Sequence, residues 1–403
     1  MIPAGEQGGV VTRLDRWNGF VVLFVFAFVP LLAYLAPLGF APLTALGGLL
    51  VLPLLPRQRR LELWPLAVLA LLLAWMGLST LWSPHQAKDL SSGITVKLTL
   101  LIALGLALIS AFAVMPREAA RRGAILLASG MVGLSLILIA DALTGAQIYQ
   151  ALKQLINDPI RPDLARRNIA QGAYVLALMF WPAAQAAGRL GWRTAAFPVA
   201  LMAAAVLAAH RLLDADAPLF ALAAGGVVWM AVRGLGPMAV RLLMAIAVAA
   251  FTLAPLLMLE GVRTGLTGLL RTGLPDSWNA RLDIWTFVAR QAADHPLRGW
   301  GVDASRTFGE AIPLHPHNAA LQIWLELGAP GAALAGALIG WIAACLAVMA
   351  RTNPSHAAAG AAALTAYLVI GALSFGVWQE WWVGLGLLTV ATLAIVRRAW
   401  PRA

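Results

Sequence analysis

Nearly unbroken apolar runs of about twenty residues recur along this chain. That is the length a helix needs to cross the hydrocarbon core of a bilayer. The runs fall near 19–37, 39–55, 62–82, 94–115, 119–143, 168–187, 194–210, 213–232, 236–258, 328–350, 356–378 and 380–397, twelve in all. The second is short and ends at Pro53 and Pro56, while His210, Arg211, Asp214 and Asp216 separate the seventh from the eighth. Only 12% of the 403 residues are charged and 61% are hydrophobic, where soluble proteins carry about 25% charged residues. This composition excludes a soluble globular enzyme and a disordered chain. It excludes a nucleic-acid binder too, despite the net charge of +11, because a basic stripe needs solvated surface to sit on. The expected fold is an all-α integral membrane protein of about twelve transmembrane helices. It forms one polytopic domain over 1–403, with a partly helical loop between helices 9 and 10 at 259–317.

Sorting the charges by side gives the orientation. With the N-terminus in the cytoplasm, the inner segments are 1–18, 56–62, 116–122, 188–193, 233–241, 351 and 397–403. They hold sixteen of the 29 basic residues and only Glu6, Asp15, Glu62 and Glu118 of the 18 acids. The inner face then carries a surplus of twelve positive charges, and everything else is near neutral. Both termini are expected inside. The polar residues 1–18 and the long first run, followed at once by a second, read against a cleavable signal. Trp17, Trp64, Trp192 and Trp400 fall at inner boundaries and Trp82, Trp378, Trp381 and Trp382 at outer ones, as aromatic belts do. The single cysteine, Cys345, excludes an intrachain disulfide.

Two outer segments exceed turn length, 144–167 and 259–317. Unstructured loops as long as the second are uncommon, so it is expected to be functional or partly helical. Asp276 and Ser277 are N-cap types ahead of SWNARLDIWTFVARQAA, and Pro296 ends that run. Leu282, Trp285, Val288, Ala289 and Ala292 form an apolar stripe expected on the membrane surface or the bundle. Arg281 lies at the edge of that stripe, where either a lipid phosphate or a neighbouring Asp283 or Asp276 could engage it. Further on, Gly299 and Gly301 mark a turn. His315-Pro316-His317-Asn318 opens a short helix ending at Gly328-Ala329-Pro330-Gly331. Asn318, Gln322 and Glu326 line one face of it at four-residue spacing. Polar groups just before a span must pair or face a wet cavity. For the histidines three readings stand: metal ligands with Glu326, caps on loop carbonyls, or a general base.

The run His317-Asn318, nine residues, Gly328, two residues, Gly331 is similar to the signature of the bacterial O-antigen ligases, which share a superfamily with the Wzy-type polymerases. The upstream SWNARLDIWTFVARQAADHPLRGWG resembles that family's outer loop, and RRNIAQGAYVLALMFWPAA shows a weaker likeness at the sixth span. One departure stands out. Where many members start a span with a Ser-Arg pair thought to hold phosphate, this chain reads DADAPLF, with Asp216 and Ala217 at the pair.

The resemblance implies a GT-C-like glycosyltransferase of the bacterial inner membrane with a periplasmic active site. Its donor would be an undecaprenyl diphosphate-linked glycan and its acceptor a sugar hydroxyl of lipid A core, with inversion and without cofactor or metal. His317 is the candidate base, and His315 a candidate acceptor contact. Arg281, Arg306, Arg166, Arg167 and Arg211 are the candidate diphosphate ligands, since guanidinium groups bind phosphate in bidentate fashion at any pH. Asn318, Gln322 and Glu326 complete the expected substrate-binding set. A Wzy-type polymerase is the nearest alternative. A lipid-linked glycan transporter is disfavoured because the spans carry almost no charge in their middles.

Overall fold

The computed structural model describes residues 13–55, 63–89, 93–190 and 195–401. Glu6, Pro56, Arg57, Arg59, Arg60, Glu62, Trp192, Arg193 and Arg402, all used above for topology, lie outside the described residues. Within the described residues the chain is helical, with no strand. The helices are α1 (Arg13–Leu35), α2 (Phe40–Leu50), α3 (Leu63–Ser79), α4 (Ile94–Phe112), α5 (Arg117–Leu143), α6 (Gln147–Leu155), α7 (Pro162–Arg189) and α8 (Ala196–Leu213). They continue as α9 (Asp216–Leu235), α10 (Pro237–Thr252), α11 (Ala254–Arg263), α12 (Leu266–Arg271), α13 (Asp276–Asp294), α14 (Ala319–Ala350), α15 (Pro354–Leu373) and α16 (Glu380–Ala399).

Each of the twelve apolar runs contains helix, yet fewer helices have the length and apolarity to cross a membrane alone. Among the described residues eight do: α1, α4, α5, α8, α9, α14, α15 and α16. A ninth is the pair α10 and α11, bent by 71° at Leu253. The expected count of twelve is thus not reached on this measure. The segments Pro37–Leu50 and Leu63–Ser79 are apolar but short. Helix α7 is long enough, but Asn168, Gln171 and Gln185 dilute its apolarity.

Helix α7 is also the hub of the bundle. Its residues Val175 to Met179 have no solvent exposure, and α1, α5, α8, α9, α15 and α16 all pack against it. Apolar burial does not drive helix association inside lipid; close van der Waals packing does, and small residues permit it. The α9–α15 seam shows this. A Cβ on Gly225 would stand 2.7 Å from the Trp181 ring and 3.1 Å from the Ala362 carbonyl. At the expected cytoplasmic end, Arg398 donates from Nε to the Met115 carbonyl (2.6 Å), and His356 Nδ1 meets Gln185 Oε1 at 2.9 Å. Two charged groups near helix ends have protein partners. Lys97 pairs with Glu380 at 3.3 Å. Asp141 is fully buried, accepting from the Tyr34 hydroxyl (2.6 Å) and from the Ile148 and Tyr149 amides at the start of α6.

The feature that positions the outer face is a break in α14. Gly328 has φ +63° and ψ −161°, so the helical ladder stops there. Three carbonyls lose their partners. Pro330 has no N–H for Glu326, and the Ala329 amide turns away to the Pro296 carbonyl (2.8 Å). Buried orphan carbonyls are costly, and each of the three is satisfied from outside. Trp300 N donates to Leu325 O and Gly301 N to Glu326 O, both at 2.8 Å. The Trp75 indole donates to Leu327 O, also at 2.8 Å. The chain 296–301 therefore lies directly on the break. Only glycines allow that approach: a Cβ on Gly299 would stand 2.5 Å from Glu326 backbone, and one on Gly328 2.6 Å from the Leu297 carbonyl. Gly328→Ala should thus destabilise the protein by at least the roughly 1–3 kcal/mol of a strained left-handed residue, seen as a lower unfolding midpoint in detergent. Gly133→Ala, where an added Cβ meets nothing within 4 Å, should leave the midpoint unchanged.

Candidate active site

The long outer segment is a folded cap. The last turns of α11, the short α12 and then α13 supply its helices, and two 3-10 turns follow at Ala304–Thr307 and Gly309–Ala311. Helix α13 starts at Asp276 and ends at Asp294, close to the expected bounds, but the N-cap is Pro275 rather than Asp276 or Ser277. Its stripe lies on the bundle: Leu282, Val288, Ala289 and Ala292 are buried. Val288 and Ala289 share a core with Ile312, Leu321 and Leu325. The Trp285 indole donates to the Pro316 carbonyl at 2.9 Å and so holds the histidine segment.

Gln322 and Glu326 are bonded inside the protein, and Asn318 is half-buried. Asn318 caps α14, its Oδ1 accepting from Leu321 N at 3.0 Å. Gln322 is 3% exposed and Glu326 0%. Gln322 Oε1 accepts from the Val377 amide at 2.9 Å. The Glu326 carboxylate accepts four hydrogen bonds, from Asp303 N (2.8 Å), Ser305 N (3.4 Å), Gln322 Nε2 (3.1 Å) and Trp378 Nε1 (2.5 Å). These four groups, with no cation, stabilise a buried acid and join the outer loop, α14 and the start of α16. Trp378, Trp381 and Trp382, expected in a lipid-facing belt, are buried in the protein.

The two histidines sit face to tilted face, ring centroids 4.1 Å apart, and their bonds separate them chemically. His315 Nδ1 accepts the amide of His317 at 3.2 Å, so its proton is on Nε2. His317 Nδ1 lies 2.7 Å from the Ser374 carbonyl. A carbonyl only accepts, so His317 carries its proton on Nδ1 and presents a bare Nε2 lone pair. Both rings are held neutral. Burial lowers the His315 pKa to about 3, with repulsion from His317, when that ring is protonated, and from Arg306 adding to it. Burial also lowers that of His317, with the Ser374 carbonyl opposing and Arg281 adding. His317 itself takes a left-handed φ of +56°, a strained conformation of the kind that collects at functional sites. Among the described residues no group of three or more His, Cys, Asp or Glu is placed to share a metal ion, and Glu326 is committed to its own donors.

Arg281 faces this pair from α13. Its guanidinium lies 4.8 Å from the centre of the Trp278 ring, within charge range of both His317 and Tyr174. Asp283 pairs with Arg271 instead, and among the described residues no carboxylate lies within ion-pair distance of Arg281. Asp216, at the place of the Ser-Arg pair, receives His210 Nδ1 at 2.8 Å on one oxygen and the Trp278 indole at 3.0 Å on the other. The other candidate arginines are deployed differently. Arg306 pairs with Asp303 at 3.0 Å and is more than half exposed. Arg166 is tied to the Leu212 carbonyl at 2.5 Å. Arg167 and Arg211 are exposed.

Sequence reasoning missed Ser374, Tyr174 and Trp278. The apolar run suggested a helix to 378, but α15 stops at Leu373, and that early stop frees the Ser374 carbonyl. The Ser374 and Tyr174 hydroxyls lie 3.4 Å apart. Only Trp278 had a visible signal, its spacing of three residues before Arg281 on one helix. Glu326→Gln puts an NH2 group against N–H donors. It should lower stability by about 1–3 kcal/mol, the cost of unsatisfied buried donors, and speed proteolysis within 296–312 measured against Gly133→Ala.

Residues 197–336 match the family model described as O-Antigen ligase. The match takes in Arg211, Arg281, Arg306, both histidines and the break at Gly328, and leaves out Arg166, Arg167 and Ser374. Three curated Rickettsia proteins bearing the name "Putative polysaccharide ligase" are similar to this chain. The one from Rickettsia bellii is 28% identical over 49% of this chain and 52% of its own length. That from Rickettsia conorii is 27% identical over 43% and 44%, and that from Rickettsia prowazekii 34% identical over 28% and 32%. The chain thus spans about half the length, or less, of the curated relatives it matches. The family model and these relatives bear out the likeness to the O-antigen ligases read from His317-Asn318 and Gly328, and they place it in the stretch 197–336.

Proposed function

We propose that the protein is a metal-independent, inverting glycosyltransferase. It transfers O-antigen polysaccharide from undecaprenyl diphosphate to a sugar hydroxyl of lipid A core at the periplasmic face of the bacterial inner membrane. The observation that carries the reading is the pairing of a free His317 Nε2 lone pair with an arginine that no carboxylate neutralises. In this reading all twelve apolar helices cross the membrane in a GT-C-like arrangement. Helices α2, α3 and α7 join the nine spans, α7 being sheathed by its neighbours and needing less apolarity. The near-neutral face then carries the site and the basic face both termini.

The chemistry follows from these groups. The acceptor hydroxyl oxygen attacks the anomeric carbon, a C–O glycosidic bond forms, and the C–O bond to the diphosphate breaks. The hydroxyl proton passes to His317 Nε2. The Ser374 carbonyl fixes the ring and favours the imidazolium as it forms. Negative charge grows on the leaving diphosphate, and Arg281 meets it with a planar pair of N–H groups already oriented by the Trp278 ring. Arg306 and the exposed Arg167 and Arg211 add positive potential at the mouth. His315 supports His317 by accepting its amide.

His317→Ala should abolish transfer in proteoliposomes given undecaprenyl diphosphate-linked glycan and lipid A core, with expression and monodispersity unchanged. Persistent transfer would remove the base assignment. Transfer to lipid-linked glycan but not to lipid A core would identify a polymerase instead. The base must be neutral to accept a proton, so activity is full above its pKa and lost as pH falls through it. Because burial sets that pKa below 6.5, the acid limb of kcat/KM should lie below pH 6.5; a limb at or above this value would contradict the burial of His317.

A further inference from the structure

This chain has an aspartate where a phosphate-holding pair is expected, which is a physical puzzle. A carboxylate beside a diphosphate site repels the ligand, and it also competes for the arginine that should bind it. The geometry at Asp216 resolves both difficulties. Asp216 is the first residue of α9, where the helix N-terminus favours a negative charge. Its two oxygens are held by His210 and by the Trp278 indole, and it makes no ion pair with Arg281. The Trp278 ring is braced on its edge by Phe220, centroids 6.0 Å apart at 71°, and the Arg281 guanidinium lies over it. Stacking fixes the plane of a guanidinium while leaving its N–H edge free.

We propose that Asp216 is a positioning residue: by holding the Trp278 indole it sets the platform that presents Arg281 to the diphosphate of the lipid-linked donor. This proposal rests on the function proposed above. The aspartate replaces direct phosphate contact by indirect alignment, through α9 to α13. It touches neither substrate nor the reacting atoms, so its effect passes through Arg281 to the donor diphosphate, in binding and as its charge grows, and not to the acceptor.

The test uses the full-length protein in proteoliposomes with undecaprenyl diphosphate-linked glycan and lipid A core. Losing a hydrogen bond to a charged group should lower kcat/KM for the donor about tenfold in Asp216→Ala, with the acceptor KM changed less than about twofold. Trp278→Phe keeps the ring and loses the N–H, so it should show the same shift, and the double variant should be no worse than either single one. Asp216→Asn, whose side-chain oxygen can still accept the indole N–H, should recover most of the donor kcat/KM and guards against a misfolded alanine variant. An unchanged donor kcat/KM in Asp216→Ala, an equal rise in the acceptor KM, or additive effects in the double variant would overturn the positioning role. The underlying function is judged apart from this: if His317→Ala still transfers glycan, that reading fails, whereas an inactive His317→Ala with a silent Asp216→Ala removes the positioning role alone.

Discussion

The break in α14 at Gly328, together with the buried carboxylate one turn before it, is the constraint on which the outer face depends. A membrane helix that stops its own ladder must find other donors for the carbonyls it frees, because lipid offers none. Here Trp300, Gly301 and Trp75 supply them. The carboxylate of Glu326 takes four more donors from two other segments and its own helix. Seven donors of backbone and side chain thus converge on residues 325–327. The loop above cannot shift without leaving several polar groups unpaired in a dry environment. That cost stabilises the otherwise irregular segment from Pro296 to Asn318.

Rigidity there is what lets two adjacent histidines differ. In a mobile loop the rings would exchange tautomers and partners freely. Here one ring accepts a backbone amide and the other meets a carbonyl, so one has its Nδ1 lone pair engaged and the other has its Nε2 lone pair open. Burial keeps both neutral. The same economy appears at Arg281, whose nearby carboxylates are each given to another partner, Asp283 to Arg271 and Asp216 to His210 and Trp278. The site is assembled as much by removing competitors as by supplying ligands.

Much of this was legible from residue order. The run lengths gave the all-helical membrane class, and punctuation by Asp276 and Pro296 gave the bounds of α13 within a residue or two. The spacing of His317, Gly328 and Gly331 singled out the stretch that holds the break. Other features were hidden for definite reasons. Apolar runs do not reveal which helices stand alone in lipid and which, like α7, are wrapped by neighbours. Asn318, Gln322 and Glu326 share a helix face by spacing, but spacing is silent on whether that face meets water or protein. Trp378 read as belt because its indole partner, Glu326, is 52 residues away.

The amino-acid sequence by itself determined the membrane class of this protein and the side chains available for its chemistry. Those follow from composition and local period, which depend on near neighbours in the chain. Only the tertiary structure decided which lone pair of which histidine stands free, which arginine lacks a carboxylate, and that Asp216 serves Trp278. Each of these turns on a hydrogen bond between residues tens of positions apart, and one of them on a bare backbone carbonyl at Ser374. A backbone carbonyl is common to every residue, so its availability is written in the point where a helix stops.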